Sequence, residues 1–535
     1  MASDDVPFDG FVWGSKPDPE LVIGLVGAVG TDLSLVQEEL GKVLDTLEYQ
    51  HTEIRMSAIL RELEKGDELS LLEGGCENKR IDAYMEAGDS LRRHTERGDI
   101  LAILATQAIF SVRRTLDSES ERGRGGCSTP HPVPRQAYIL NSLKHPNEIN
   151  TLRNVYGDSF LAISVYSPKS VRVEALSQKF ASTNYCGSDT SQFIGEAERL
   201  VQKDAKSKVE GFGQNVSETF PLSDVFVREG KRDELKRQLT RAIETWFQYP
   251  YHTPSIDEFG LFQAHATSLR SADLSRQVGA VIASRDGEIL ATGCNEVPKS
   301  GGGQYWDGDE GDDREFVLGK DSSVRVKEEI VGEMLQRMSE NEWLEKKKAK
   351  EKVGDLVEAI LYGDESKVLK GTRLASLIEF GRIVHAEMAA ISDAARRGVS
   401  LKGATLYCTT FPCHMCARHI IAAGISRVVF IEPYPKSMTK QLYSGSVLMD
   451  GESGDFKVAF ESFVGVAPRR YMEFFSMPKR KDDRGKVVEW DGKTAYPRVP
   501  EDFGVYIDSE QACSYWLDKS NILGLDESDK EEKSR

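Results

Sequence analysis

His385-Ala386-Glu387-Met388-Ala389-Ala390-Ile391, followed by Pro412-Cys413-His414-Met415-Cys416, decides how the chain from Arg382 to Pro433 folds. The spacing after His385 predicts an amphipathic helix ended by the glycine at Gly398. Thr405-Leu406-Tyr407-Cys408-Thr409 reads as a strand, Phe411-Pro412 as a turn and Cys416 to Ala423 as a second helix. Val428-Val429-Phe430-Ile431 follows as another buried strand. Both cysteines then stand at or near a helix N-terminus, where the positive end of the dipole favours thiolate.

Two thiolates and one imidazole give zinc three protein ligands, and a catalytic zinc keeps its fourth position for water. His385, Cys413 and Cys416 are therefore the expected ligands of Zn2+. A lone C-x-x-C is more often redox-active or one half of a structural zinc site than catalytic. An H-x-E one helix and one strand earlier favours the catalytic reading. The pairing of H-x-E with P-C-x-x-C resembles the zinc nucleobase deaminases. In that resemblance the metal brings the pKa of its water from 15.7 to roughly 7. Glu387, two residues from His385, takes the water's proton, protonates the ring nitrogen and helps ammonia leave. His414 and His419 read as loop and helix-surface residues, because three ligands and a water already fill the metal.

The length of 535 residues predicts two or more domains. A net charge of −17 and an isoelectric point near 5.2 argue against a general nucleic-acid binder but leave room for a local basic pocket. No apolar run reaches a membrane span, and the acidic Met1-Ala2-Ser3-Asp4-Asp5 lacks a signal-peptide pattern. Cytoplasmic localisation is the expectation. Eight cysteines in so long a chain form no disulfide framework, so Cys76, Cys127, Cys186, Cys294, Cys408 and Cys513 read as free thiols.

Leu21-Val22-Ile23-Gly24-Leu25-Val26-Gly27-Ala28-Val29-Gly30 is an apolar strand entering a glycine turn, and a helical pattern begins at Leu33. Strand, glycine turn and helix form the context of a phosphate-binding loop, with Gly27, Gly30, Thr31 and Ser34 as its candidate nucleotide contacts. The match to G-x-x-x-x-G-K-[ST] is incomplete, because Asp32 and Leu33 stand where glycine and lysine belong. A negative charge there repels phosphate, so binding without turnover, or a relic, fits better than phosphotransfer. Asp99 to Ala105, Gln136 to Lys144 and Phe160 to Tyr166 read as further strands between helical segments, which indicates a parallel α/β sheet. Glu196 to Asp204 and Lys231 to Trp246 have helical periodicity, Glu119 to Gln136 reads as a loop, and Tyr249-Pro250-Tyr251-His252-Thr253-Pro254 is the expected linker.

In the other half, Phe259 to Leu269 predicts a helix, and two apolar strands around Asp286-Gly287 predict a hairpin that ends in Thr292-Gly293-Cys294-Asn295. Gly301-Gly302-Gly303-Gln304-Tyr305-Trp306 suits a loop, and Val324 to Leu361 reads as charged helices that meet a neighbouring subunit or stand in solvent. The hairpin, with its Thr-Gly-x-Asn, resembles deoxycytidylate deaminases. That resemblance implies that Asn295 contacts the sugar, that Arg276 and Lys299 meet the phosphates, and that Tyr434 closes over the substrate.

Ser142-Leu143-Lys144-His145-Pro146, Leu152-Arg153-Asn154-Val155-Tyr156-Gly157-Asp158, Gly213 to Phe226 and the Gly-Gly-Gly-Gln-Tyr-Trp loop together resemble the bacterial anti-phage dCTP deaminase family. The implied fold is α/β, with an N-terminal P-loop kinase-like parallel α/β domain over 18–250. A C-terminal three-layer α/β/α cytidine deaminase-like domain follows over 251–477, with an insertion at 299–380. A charged extension fills 478–535, disordered from Asp526.

The implied activity is hydrolytic deamination of dCTP or dCMP for phage defence by depleting the nucleotide pool. Implied partners are a deoxycytidine nucleotide, a regulatory nucleotide at the N-terminal domain, an inhibitory small RNA and further copies of the chain. Two alternatives stand beside this one. The first is a polynucleotide deaminase, which needs a basic or aromatic channel; the second is a kinase-like nucleotide sensor to which the deaminase is subordinate.

Overall fold

The computed structural model describes residues 18–63, 75–119, 131–184, 189–207, 211–363, 365–369, 372, 374, 380–434, 437–450, 452, 454–477, 480–499 and 505–520. The chain forms two compact units. One comprises the residues up to Glu258 together with those from Ser462 onward, and the other runs from Phe259 to Glu461.

The first unit is built on a parallel sheet. Its strands are β1 (Leu21–Gly27), β2 (Gln50–Arg55), β3 (Gln136–Asn141), β4 (Phe160–Tyr166) and β5 (Val225–Arg228), in the order β2-β3-β1-β4-β5. Every residue of β1 is buried, as an apolar run covered by helices on both faces requires. Val22 and Val26 enter one core, and Leu21, Ile23 and Leu25 enter the other. Helix α1 (Leu33–Thr46) follows β1 and packs in the second core.

Residues 99–105, expected as a strand, begin the helix α2 (Ile100–Glu119). A short apolar run buried on all sides has no period that separates strand from helix. The expected helices at 196–204 and 231–246 are present as Ile194–Ala205 and Arg232–Trp246.

The boundaries differ from the expected ones at the C-terminal side. The chain rejoins the first unit at Ser462, not 477, where Gly465–Val466 adds an antiparallel edge to β5. The extension from 478 is no mere charged tail, because it contains the helix α3 (Val505–Ser520), with Tyr506, Ile507 and Leu517 in the same core as Val22. Arg113 of α2 is fully buried and donates through Nε to Glu20 Oε2 at 2.8 Å and through Nη2 to Glu510 Oε1 at 3.0 Å. Tyr156 donates to Glu510 at 2.7 Å, and Tyr506 to Glu20 at 2.9 Å. Removing one partner of a buried pair leaves a charge without compensation. Glu510→Ala is therefore expected to cost about 3 kcal/mol, read as a lower denaturation midpoint; an unchanged midpoint would show that α3 adds nothing to this core. Residues 526–535, Cys127, Cys186 and most of the expected loop 119–136 lie outside the described residues.

The second unit has a sheet of order β10-β11-β9-β8-β6-β7. Its strands are β6 (Gly279–Ala283), β7 (Ile289–Cys294), β8 (Thr405–Thr410), β9 (Arg427–Glu432), β10 (Val447–Met449) and β11 (Val458–Ser462). β6 and β7 form the expected antiparallel hairpin, and β8 pairs with β9 in parallel. Helices Ala386–Arg397 and His414–Ala422 cover one face through Ala386, Ala390, Ala394, Ala417 and Ile420. Helix Ile256–Ser268 covers the other, where a Cβ on Gly260 would lie 2.5 Å from the Tyr407 ring. The expected three layers are present in this unit. Among the described residues of the insertion, the helices Ser322–Glu340 and Val353–Leu361 pack on each other through Val331, Leu335 and Leu356. No helix among the described residues is long and apolar enough to cross a membrane.

Candidate active site

Each donor stands where a helix begins. His385 is the N-cap of Ala386–Arg397, which places Glu387 in the first turn, the favourable end for a carboxylate. Gly398 ends that helix at φ 71°, a conformation that suits glycine. Cys413 is the N-cap of His414–Ala422, and its Sγ accepts from the Cys416 N–H at 3.5 Å. The turn after β8 and the segment that enters Ala386–Arg397 bring the two caps together: His385 Nδ1 is 3.3 Å from the Sγ of both cysteines.

These three are the group among the described residues whose donor atoms could hold a metal, all within 4.8 Å of one another. His414 and His419 are not part of it. The donor set and its crowding fit a tetrahedral zinc with one position left over. The hydrogen bond from Cys416 and the imidazole beside it push the Cys413 thiol down. The same contact with Cys413, and burial, push Cys416 up, and the Cys413 hydrogen bond raises His385. A dication needs both thiols deprotonated and the imidazole neutral, so its binding would displace these protons.

Glu387 is 4 % exposed, and Cys416 Sγ lies 3.4 Å from its Oε2. Burial raises its carboxyl above the ordinary range, as a proton shuttle working near neutrality needs. In front of these residues opens a cleft of about 400 Å³, with Phe411 on its wall held edge-on to Phe430 at 4.9 Å.

Of the expected substrate contacts, Asn295, Arg276 and Tyr434 line this cleft. The Asn295 amide is committed to the loop before β6: Oδ1 accepts from Val278 N at 2.7 Å, and Nδ2 donates to Asp273 and to the Arg276 carbonyl. Asn295 thus shapes the wall. Arg276 pairs with Glu432 at 3.2 Å, and burial raises the Tyr434 phenol. Lys299 is not among the lining residues; it pairs with Asp309 at 2.7 Å inside the glycine-rich loop, whose own acidic residues neutralise it.

Sequence reasoning missed Asp273, Glu315, Asp321 and Arg382, all of which line the cleft. Two of them come from the insertion, and no local pattern ties them to a site so far along the chain.

Gly293 was read only as part of a motif, and its physical reason is space. A Cβ there would lie 2.4 Å from both Ala386 O and Ala390 N, so the zinc helix rests directly on β7. Gly293→Ala is expected to push that helix away, with a stability loss of about 1–3 kcal/mol and weaker zinc binding. Zinc titration and a denaturation curve measure both; no change in either would refute the packing argument.

In the first unit, Gly27 ends β1, Gly30 and Thr31 lie in the turn that follows, and Ser34 is in the first turn of α1. Asp32 caps α1 through Leu35 N at 3.0 Å, and Asp204 Oδ2 accepts the Val29 N–H at 2.7 Å. Lys144 Nζ donates to Asp204 at 2.9 Å and to Gly27 O at 2.7 Å. A carboxylate of the chain itself therefore holds a loop N–H that a phosphate would use.

Residues 255–432 match the family model described as the cytidine and deoxycytidylate deaminase zinc-binding region. The chain is 48% identical over 54 residues to the deoxycytidylate deaminase of Enterobacteria phage T2, which is 10% of this chain and 29% of that protein. It is 45% identical over 53 residues to ComE operon protein 2 of Bacillus subtilis (strain 168), 10% of this chain and 28% of that protein. The chain thus spans less than a third of the length of these curated relatives. A crystal structure of the dCMP deaminase from the cyanophage S-TIM5 in complex with dCMP and dUMP aligns at 19% identity and a TM-score of 0.23, covering 40% of this chain and 100% of that one. Residues 255–432 of this chain are thus similar to the cytidine and deoxycytidylate deaminase zinc-binding region, and they carry a His/Cys/Cys group able to hold a metal.

Proposed function

We propose that this protein is a zinc-dependent hydrolase that deaminates deoxycytidine nucleotides, dCMP or dCTP, to their deoxyuridine forms. The observation that carries the reading is Glu387, a buried carboxylate in the first turn of the helix that His385 caps, beside Cys416 and facing the cleft. When bound, zinc lowers the pKa of a coordinated water. His385, Cys413 and Cys416 hold it, and Glu387 does the proton work. Glu387 takes the first proton of the attacking water and delivers it to ring N3 as the oxygen bonds to C4. It then carries the second proton to the exocyclic nitrogen, so that the C4–N bond breaks and ammonia leaves. Phe411 offers the base an apolar wall and Tyr434 closes over it.

The cleft favours a small molecule over a polynucleotide. Among the described residues, its charged lining includes Asp273, Glu315, Asp321 and Glu387 against Arg276 and Arg382, a mixed set and not a basic track for a strand. The resemblance to the anti-phage family supports a role in defence by draining the deoxycytidine nucleotide pool, with a small RNA as restraint and assembly into a homo-oligomer. It also supports a regulatory nucleotide on the first unit, whose loop must first release Asp204.

The test is ammonia release and product mass with dCMP, dCTP, CTP, deoxycytidine and a cytosine-containing single strand, on full-length protein with its zinc counted. Turnover confined to the deoxynucleotides is expected. Turnover of the strand alone would replace this reading with a polynucleotide deaminase.

A further inference from the structure

Among the described residues that wall the cleft, Arg382 has unfinished bonding. Its Nη2 donates to the Asp313 carbonyl at 3.1 Å and to the Asp313 carboxylate. Its Nη1 is buried with no hydrogen-bond partner and stands 3.8 Å from Glu315 Oε1, beyond hydrogen-bond reach. Glu315 cannot turn to meet it, because Glu315 Oε2 already accepts from Ser322 N at 3.1 Å and Ser322 Oγ at 3.0 Å. A buried guanidinium donor without an acceptor is costly and calls for a reason.

Its backbone is not free to drift. Val384 is bridged to Glu296 in both directions, at 3.1 and 3.2 Å, which fixes the segment running into His385. The carboxylate that holds Arg382, by contrast, is easily given up: the Asp313 side chain is 55% exposed. This fixed cation thus has one loosely held counter-ion, Asp313, a second and buried carboxylate, Glu315, at 3.8 Å, and one donor that lacks a hydrogen-bond acceptor, three residues from a metal donor.

We infer that Arg382 reads the phosphate of a nucleoside 5′-phosphate, and that Asp313 of the insertion holds it until the phosphate displaces the carboxylate. The inference rests on the deaminase reading of this cleft. The planar guanidinium gives two parallel N–H donors to phosphate oxygens, and Nη1 gains the acceptor it lacks. The insertion then has a function in specificity, because it supplies the competing anion that a nucleoside without phosphate cannot displace.

The test is made on full-length, zinc-loaded protein carrying Glu387→Gln, which binds without turnover. Calorimetry compares dCMP with deoxycytidine in that parent and with Arg382→Ala, Asp313→Ala or both added. Arg382→Ala is expected to weaken dCMP roughly 10- to 100-fold, the factor carried by charge-assisted hydrogen bonds, and to leave deoxycytidine nearly unchanged. Asp313→Ala is expected to tighten dCMP alone, and only while Arg382 is present.

Equal weakening of both ligands would make Arg382 a structural latch and overturn the inference, as would an unchanged ratio. Should Arg382→Ala fail to fold, Asp313→Ala decides by itself: no gain for dCMP overturns the inference. A zinc-loaded parent that binds neither ligand would mean that the deaminase reading has failed, and this one with it. Binding of dCMP with no effect of either substitution would sink the Arg382 assignment alone.

Discussion

Glu387→Ala is expected to keep its zinc and to lose deamination by about a hundred- to ten-thousand-fold, the range of a positioned acid–base group. The expectation separates two roles that lie two residues apart. His385 caps the helix and points a nitrogen at both cysteines, whereas Glu387 stands in the first turn with its Oε2 3.4 Å from Cys416 Sγ. Removing the carboxylate leaves the three donors in place and relieves the cost of its burial. The folded unit should therefore be no less stable, and zinc counted against protein should stay stoichiometric. Loss falls on kcat, because protons must move to N3 and to the leaving nitrogen in the reaction itself. A variant that sheds zinc together with activity would make Glu387 a ligand or a prop of the site and overturn the assignment.

Cys413→Ala should behave in the opposite way and lose both. With one thiolate gone, two donors remain, below the three that a catalytic zinc takes from protein. The same side chain also caps the helix His414–Ala422 by accepting the Cys416 N–H, so the substitution removes a cap worth about 1 kcal/mol as well as a ligand. Metal content and ammonia release should fall together, and added zinc should not restore a wild-type rate. Undiminished turnover in this variant would end the case for a metal-dependent mechanism in this chain.

The site was legible wherever its residues depend on neighbours a few positions away. H-x-E places histidine at a cap and glutamate within the first turn, and C-x-x-C places two thiols across the first turn of another helix. These are local geometries, and the spacing determines them. The hairpin and the strands β1, β4, β8 and β9 were legible for the same reason, because short apolar runs bounded by turn residues act over a few residues. The reading of 99–105 as a strand failed where burial on all sides removes the period.

Long-range pairing was not legible. Arg113 and Glu510 meet across 397 positions, and nothing near either residue signals the other. That pairing turned an expected charged tail into a helix of the first core. Lys299 was expected at the phosphates because it is basic and near the hairpin, but Asp309 in its own loop claims it.

What the sequence by itself determined is the His/Cys/Cys cluster, the place of Glu387 beside it and the α/β frame that carries them, since each rests on residues close together in the chain. Which side chains wall the cleft was decided only by the tertiary structure. Glu315, Asp321 and Arg382 reach it because the insertion folds back beside the segment that enters the zinc helix, and that approach depends on packing between distant elements, which no spacing along the chain encodes.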